Sequence, residues 1–372
     1  MVSTTLSKNK LSSILLQEGD VFVNPNGHDY FDLIVDNGYA YQKLAAWVIN
    51  SAGETVIRTA CIPSRAELGR VNIASNSGGS DGLFIIDDDY YTVSEYVQNP
   101  VSIRSNSYAH SELNNVLVAN SILESGMANE KFRLTTGLPL KQFFKEDGTK
   151  NEKLISKVKN SLAILAQPAS GPSIQLSQHN IKPEALSAFI DWYVSDQGEV
   201  LYEIHSGVMV IDIGGGTTDI SNITPNLSLN TNLSDTARIG ILDLFKHLRP
   251  LLSEEFNVDA ESIRDDELDK VVRTGQVFIR GTYQDCGLQL QKAKNKVAKR
   301  LYNIINELKG GTIDKMIFVG GGAEALREEL IEIAKGSDDF DNVDVSNFIV
   351  IPDNSQFNNV SGMLKQVTFI DD

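Results

Sequence analysis

The chain has little of what would mark a disulfide scaffold, a metal cage or a membrane protein. Only two cysteines, Cys61 and Cys286, occur in 372 residues, and they lie far apart. That excludes a disulfide framework or a cysteine-based zinc site and fits a reducing compartment. The five histidines, His28, His110, His179, His205 and His247, form no metal-ligand spacing and read as surface or packing residues. No apolar run approaches the roughly 20 residues of a spanning helix. Met1 to Lys10 has no long apolar stretch, so no secretory leader is expected. Positive charge is also scarce. Thirty-three Lys and Arg against 49 Asp and Glu leave a formal charge of −16. This argues against a nucleic-acid surface over the whole molecule, but it leaves room for a local basic patch or an adaptor.

What is present fits a soluble α/β protein of two domains. Hydrophobic residues make up 41% and charged residues 22% of the chain, and the length exceeds that of one small core. Residues 1–30 are polar apart from Ile14-Leu15-Leu16 and read as an extension laid on the surface or partly disordered. Phe31 to Val35 is a buried-strand pattern running into Asp36-Asn37-Gly38, a hairpin signal. Strands are expected at Lys43 to Ile49 and Thr55 to Ile62, then an irregular Ser/Asn/Asp/Gly-rich subdomain over about 67–109. A helix is expected from Glu112 to Ser125 and a strand at Phe132 to Thr136, stopped by Gly137-Leu138-Pro139. Ser173 to Leu176 alternates like a strand, and Pro183 is placed to open a helix through Tyr193.

The most informative stretch follows the apolar run Val208 to Ile211. There Asp212-Ile213-Gly214-Gly215-Gly216-Thr217-Thr218-Asp219 delivers a carboxylate into a glycine turn. Three glycines remove every Cβ, so backbone N–H groups can approach an anion. A carboxylate just before such a turn suits a hydrated Mg²⁺ held beside a phosphate. Amphipathic helices are expected at Ile239 to Leu248 and Cys286 to Leu308. The second has Leu288, Leu290, Val297, Leu301, Ile304, Ile305 and Leu308 on its apolar side and is ended by Gly310-Gly311. The strand Met316 to Val319 then runs into Gly320-Gly321-Gly322 and a helix from Ala323 to Ala334, an order in which helix N–H groups meet phosphates. The Asp-containing hairpins at Asp36 and Asp212 form an internal echo half a chain apart.

Three elements, Asp36-Asn37-Gly38 with Lys43, Asp212 to Asp219, and Gly320-Gly321-Gly322-Ala323-Glu324, stand in the order of the phosphate-1, phosphate-2 and adenosine motifs. The chain thereby resembles the actin-like ATPase superfamily. Lys182-Pro183-Glu184-Ala185, Thr136-Gly137-Leu138-Pro139-Leu140, Phe318 to Glu324 and Asn354 to Met363 resemble the ParM/StbA plasmid-segregation actins. The likeness runs from about residue 31 to 365. The 30-residue extension stands outside it, and the three glycines before Thr217-Thr218 are nearer to bacterial MreB.

The resemblance implies an actin-like (ribonuclease H-like) fold of two domains with a nucleotide cleft between them. Domain I is expected over 31–204 and domain II over 205–372, with the C-terminal tail returning to domain I. ATP or ADP with Mg²⁺ is the implied cofactor. Glu184 and Asp212 are implied as catalytic. Asp36 and Asp212 would hold the metal through water. Asp36, Asn37, Gly38, Lys43, Gly214, Gly215, Gly216, Thr217, Thr218, Gly320, Gly321, Gly322, Ala323 and Glu324 would bind nucleotide. Asp219 is read either as fixing its hairpin or as joining the metal shell. The implied function is an ATPase that polymerises with itself and segregates plasmid DNA in a bacterial cytoplasm. It would act through a ParR-like centromere-binding adaptor, with no direct contact to nucleic acid and none to membrane. An MreB-type cytoskeletal filament is the nearer alternative, with Ile14-Leu15-Leu16 as a short candidate for membrane contact. A sugar kinase or monomeric chaperone ATPase of the same fold is the more distant one, and the chain ends too soon for a chaperone's substrate domain.

Overall fold

The paired apolar strand patterns of the two halves are matched by two separate sheets. A computed structural model describes residues 13–71, 82–103, 105, 107–310, 312–335 and 344–371. The chain divides into two units, Met1–Tyr202 with Phe357–Asp372, and Glu203–Gln356.

In the first unit the strands are β1 (Val21–Phe22), β2 (Phe31–Asn37), β3 (Tyr41–Ile49), β4 (Thr55–Pro63), β5 (Ala66–Leu68), β6 (Gly82–Ile86), β7 (Asp89–Val93), β8 (Phe132–Leu138), β9 (Gln167–Pro168) and β10 (Gln178–Pro183). The helices are α1 (Glu112–Ser125), α2 (Leu140–Phe143), α3 (Glu152–Ser161), α4 (Leu186–Tyr193) and the C-terminal helix (Asn358–Phe369). The main sheet runs β4 and β1 on β3, then β2, β8 and β10. β2 and β3 form an antiparallel hairpin, whereas β8 and β10 lie parallel to β2. One face packs on α1, with Leu33, Val35, Leu44, Val116, Leu117 and Leu134 in the core. The other face carries the C-terminal helix, which buries Val360, Met363, Leu364 and Val367 against Ile34, Ala45 and Trp47. Polar clamps hold that helix in place: Trp47 Nε1 donates to Thr368 Oγ1 at 2.9 Å, and Lys365 Nζ meets Asp191 at 2.8 Å and Asp196 at 3.0 Å.

In the second unit the strands are β11 (Val208–Ile213), β12 (Thr218–Ile223), β13 (Asp235–Ala237), β14 (Gln276–Ile279), β15 (Thr282–Asp285), β16 (Lys315–Val319) and β17 (Ile349–Val350). The helices are α5 (Ile241–Phe256), α6 (Asp265–Thr274), α7 (Gly287–Leu308), α8 (Gly321–Ala325) and α9 (Arg327–Lys335). Its main sheet is ordered β13-β12-β11-β16-β17. Here too an antiparallel hairpin, β11 and β12, is followed by two parallel strands. The path β4-β3-β2-β8-β10 therefore repeats in the second unit, strand for strand and direction for direction. The core gathers Met209, Ile211, Phe318, Leu244, Leu248, Val297 and Leu301 beneath α5 and α7.

Several expectations are corrected. The described part of residues 1–30 is built into the first unit, because Leu15 and Phe22 are buried in its core and Val21-Phe22 pairs with Val48-Ile49. The Ile14-Leu15-Leu16 patch is thus partly consumed by packing. The described part of 67–109 is ordered on a second sheet, β5-β7-β6-β9. Asp87 and Asp88 make its tight turn with φ of +45° and +70°. Residues 1–12, 72–81 and Gly311 lie outside the described residues. Ser173 to Leu176 forms no strand. The Gln167 side chain satisfies that backbone instead, accepting from Ile174 N at 2.9 Å and donating to Ile174 O at 3.0 Å. Pro183 closes β10 rather than opening a helix, being still in register with Leu138. The helix expected to end at Leu248 runs through Pro250 to Phe256. Leu288 faces solvent. The helix expected from Ala323 to Ala334 breaks at Leu326.

Candidate functional site

In the first unit the hairpin places Asp36 and Lys43 opposite each other, and Lys43 Nζ lies 3.1 Å from Asp36 Oδ2. Both are largely withdrawn from solvent, so the carboxylate is neutralised by a cation on the neighbouring strand. Asn37 Nδ2 donates to Asn114 Oδ1 at 2.9 Å, which ties the hairpin to the start of α1. Gly38 O accepts from Ser64 Oγ at 2.8 Å and from Gln42 Nε2 at 3.4 Å. Gln42 Nε2 also meets Tyr108 OH at 3.1 Å, and burial pushes that phenol's pKa well up, so it stays protonated. In a trans peptide the N–H points opposite to the carbonyl. With Gly38 O held inward, the outward N–H is that of Tyr39. Asn37 Oδ1 and Gln42 Oε1, both buried, find no hydrogen-bond partner among the described residues.

Glu184 stands in a two-residue turn between β10 and α4. Ala185 has φ +56° and ψ −47°, and Leu186 N reaches back to Glu184 O at 2.5 Å. This is a γ-turn of the rare, strained form. Glu184 N donates to Leu138 O at 2.9 Å, and Ala185 N donates to Asn359 Oδ1 at 3.0 Å. The Glu184 side chain lies over Gly137, where a Cβ would sit 2.9 Å from Glu184 Oε1 and 3.0 Å from Met363 Cε. Gly137 therefore makes the room that Glu184 occupies.

In the second unit Asp212 is the penultimate residue of β11 and is 6% exposed. Gly214 N donates to Thr217 O at 2.9 Å and closes the turn, so that N–H is not free for an anion. The first N–H groups of α5 turn toward the hairpin: Ile241 N donates to Gly214 O at 3.1 Å and Leu242 N to Gly215 O at 2.9 Å. Those carbonyls face α5, so the N–H groups in the same peptides, those of Gly215 and Gly216, face the other way. The approach is this close because residue 240 is glycine, since a Cβ there would lie 2.5 Å from Gly215 O. Thr218 Oγ1 donates to Ile239 O at 2.7 Å and the side chain is fully buried, so its role is to hold the hairpin rather than to touch a ligand. Asp219 accepts from Thr236 Oγ1, in line with its reading as a hairpin-fixing residue.

The Gly320–Gly322 turn packs directly on β11. A Cβ on Gly320 would overlap Asp212 Oδ1, and one on Gly322 would overlap Ile213, whereas Gly321 has open space around it. Ala323 is fully buried, so its side chain belongs to the core. Glu324 Oε1 lies 3.4 Å from Ser355 Oγ and from Gln356 N and steadies the segment that follows β17. In this way Asp212, the glycine hairpin and the Gly320 turn form one packed corner of the second unit. Asp36, Lys43, Asn37 and Gly38 form another corner in the first unit, and Glu184 is held over Gly137 in the same unit. Sequence reasoning missed Tyr39, Gln42, Ser64, Asn114, Gly137 and Gly240. Of these, only Gly137, within a quoted motif, carried a signal.

Asp36 in the first unit and Asp212 in the second are each a hard oxygen donor beside a glycine turn, a donor type that suits a hydrated divalent cation, and among the described residues no cluster of three or more His, Cys, Asp or Glu forms a direct cage. Mg²⁺ commonly uses one or two carboxylates together with waters and phosphates.

Residues 32–193 match the family model of the plasmid segregation protein ParM, N-terminal domain, and residues 210–332 match that of the archaeal actin homologue MreB-like, C-terminal domain. No curated protein sequence matches the chain. Among solved structures, the archaeal actin homolog Ta0583 is 20% identical, with a TM-score of 0.65 over 91% of this chain and 98% of that one. A 15-stranded ParM filament from Clostridium botulinum is 20% identical, with a TM-score of 0.63 over 91% and 99%. Ta0583 in complex with ADP is 20% identical, with a TM-score of 0.63 over 89% and 97%. At these identities the likeness establishes the fold, which is actin-like.

Proposed function

We propose that this chain, whose fold is actin-like, is an ATPase that polymerises with itself to move plasmid DNA in a bacterial cytoplasm. The carrying observation is the repeated device. Each unit places an aspartate, Asp36 or Asp212, one residue before the end of a buried strand, and follows the strand with a turn whose carbonyls are held inward. Outward N–H groups of Tyr39, Gly215 and Gly216 would meet phosphate oxygens, and Lys43 would add a point charge. Asp36 and Asp212 would hold a hydrated Mg²⁺, which supplies charge neutralisation at the β- and γ-phosphates when bound. Glu184 orients the attacking water, its carboxylate aimed by Gly137 below and by the γ-turn at Ala185. Thr217 and the open face of Gly321 complete the contacts to nucleotide. The ParM-type match over 32–193 supports DNA segregation through a ParR-like adaptor, and the chain's −16 charge suits a filament that leaves DNA contact to that adaptor.

The test is pelleting and right-angle light scattering with ATP against ADP, together with phosphate release. Assembly with ATP, followed by decay as phosphate appears, is expected. Absence of nucleotide-dependent assembly at micromolar protein overturns the reading. One observation favours a second reading, an MreB-type cytoskeletal filament: the match over 210–332 with its three-glycine hairpin. Against it, Leu15, the middle residue of the Ile14-Leu15-Leu16 candidate for membrane contact, is buried in the core. Co-sedimentation with anionic liposomes separates the two.

A further inference from the structure

The second unit carries a row of cations that form no ion pair among the described residues. On α7, Lys292, Lys296, Lys299 and Arg300 are exposed, and Lys246 on the adjacent α5 is exposed as well. The spacing of 4, 3 and 1 residues keeps the α7 cations on one side of the helix, over about 12 Å at 1.5 Å per residue. His247, between the two helices, is held below its ordinary pKa first by burial and then by Lys296, with Lys246 and Arg300 adding and Asp243 opposing. The charges therefore converge on one surface. Among the described residues none of the five cations has an ion-pair partner, whereas their neighbours Lys294 and Arg249 pair with Glu329 and Asp265.

The first unit carries the opposite case. Asp87, Asp88 and Asp89 are all exposed on the β6–β7 turn, and none of them is ion-paired among the described residues. On α6, by contrast, Asp265 pairs with Arg249, Asp266 with Arg264 and Asp269 with Arg273. With Asp87 and Asp88 in a tight turn the three residues span less than about 7 Å, the extended limit, and so fit within the basic row. We propose that the Lys246, Lys292, Lys296, Lys299 and Arg300 surface seats the Asp87-Asp88-Asp89 turn of a second copy of this chain. At a net charge of −16 two copies repel at long range, so attraction between them has to come from matched local patches such as these. The two patches are different surfaces of one chain, so the contact is heterologous and repeats from copy to copy, generating an open filament unless its rotation closes a ring. This inference rests on the filament reading and names the contact that builds it.

The test uses the full chain with ATP. Lys296→Glu with Arg300→Glu, and separately Asp87→Lys with Asp88→Lys, are expected to raise the critical concentration for assembly about tenfold or more. All four substitutions in one chain restore it to within about threefold. Raising salt from about 0.1 M to about 1 M shortens the screening length from about 10 Å to about 3 Å and weakens wild-type assembly. Nucleotide binding and circular dichroism stay unchanged in every variant. Wild-type assembly matched by both paired variants, or no recovery in the combined one, overturns the contact. So does wild-type binding to duplex DNA or anionic vesicles that the Lys296→Glu, Arg300→Glu variant loses while still assembling. Absence of assembly by the wild type overturns the filament reading itself, and this contact with it.

Discussion

Replacing Gly137 by alanine is predicted to damage catalysis far more than stability. Gly137 lies in β8 and does not have positive φ, so alanine fits its backbone. The new Cβ would stand 2.9 Å from Glu184 Oε1, 3.1 Å from Glu184 Cγ and 3.0 Å from Met363 Cε. Ordinary carbon contact begins near about 3.5 Å, so the carboxylate must retreat by about half an ångström. Both obstacles are ends of flexible side chains and can give. Overpacking of this kind costs about 1–3 kcal/mol, and the alanine recovers about 0.5–1 kcal/mol of chain entropy. The net loss should be about 1 kcal/mol, within reach of a urea titration. The backbone at Glu184 is fixed by the γ-turn at Ala185 and by Ala185 N donating to Asn359 Oδ1, so the carboxylate gives way only by losing its aim. Misplacing a group that must orient a water by less than 1 Å lowers turnover by about ten- to a hundredfold. The assay is phosphate release under saturating ATP, with nucleotide affinity measured separately and expected to be unchanged. Glu184→Gln is the reference and should lose at least as much. Full turnover in Gly137→Ala, with Glu184→Gln inactive, would refute the claim that Gly137 positions Glu184. Full turnover in both would remove Glu184 from the mechanism.

Three further outcomes follow from the same geometry. Gly320→Ala combines a φ of +84° with overlap on Asp212 Oδ1 and should cost about 3 kcal/mol or more in thermal unfolding, whereas Gly321→Ala has open space and should change stability by less than about 0.5 kcal/mol while weakening nucleotide binding. Ala185→Gly relieves the strained φ of +56° and should stabilise the chain by about 0.5–1 kcal/mol in urea, yet slow phosphate release by loosening Glu184. His179 is held down to about 4 by burial, with Lys159 adding, while its Nε2 lies 2.9 Å from Thr136 Oγ1. The unfolded chain binds this proton near pH 6.5 and the folded chain only near 4, so stability falls as pH drops through that window, by about 3 kcal/mol in all. His179→Gln should flatten the loss of stability between pH 6.5 and 4 in urea titrations, and an unchanged slope would refute the assignment.

The elements that were legible are those in which local signal and tertiary need agree. α1 begins after Ser111, whose hydroxyl caps Asn114 N, and its limits follow from the apolar spacing. β2, β8, β11 and β16 are buried on both faces, and the apolar runs Leu33 to Val35, Val208 to Ile211 and Met316 to Val319 made three of them legible. Where the two diverge, the sequence misleads. Ser173 to Leu176 has strand alternation, but Gln167 supplies its hydrogen bonds from the side. Pro183 looks like a helix opener, yet the parallel ladder to β8 carries the strand through it. Within the site, the motif residues were visible because their types are restricted. Their supports were not: Gln42, Ser64 and Asn114 are ordinary polar residues whose importance lies in partners up to 77 positions away.

Glycine runs illustrate why motif and mechanism separate. Gly214-Gly215-Gly216 and Gly320-Gly321-Gly322 look alike as strings, but the first run needs glycine chiefly for where its peptides point and the second for what lies against it. In the hairpin, α5 takes two carbonyls and so turns two N–H groups outward, and Gly240 is what allows α5 that close. In the other run, Gly320 and Gly322 are dictated by contact with Asp212 and Ile213, which leaves Gly321 as the position where a side chain would stand in open space. Substitutions in the two runs therefore ask different questions. A loss in Gly240→Ala or Gly320→Ala reports on packing even when nucleotide binding disappears with it, because the carboxylate of Asp212 and the direction of the Gly215 and Gly216 N–H groups depend on that packing. Only Gly321→Ala separates the ligand from the fold. A Gly321→Ala chain that unfolds like wild type but binds ATP several-fold more weakly places nucleotide at this turn, whereas unchanged affinity places it elsewhere.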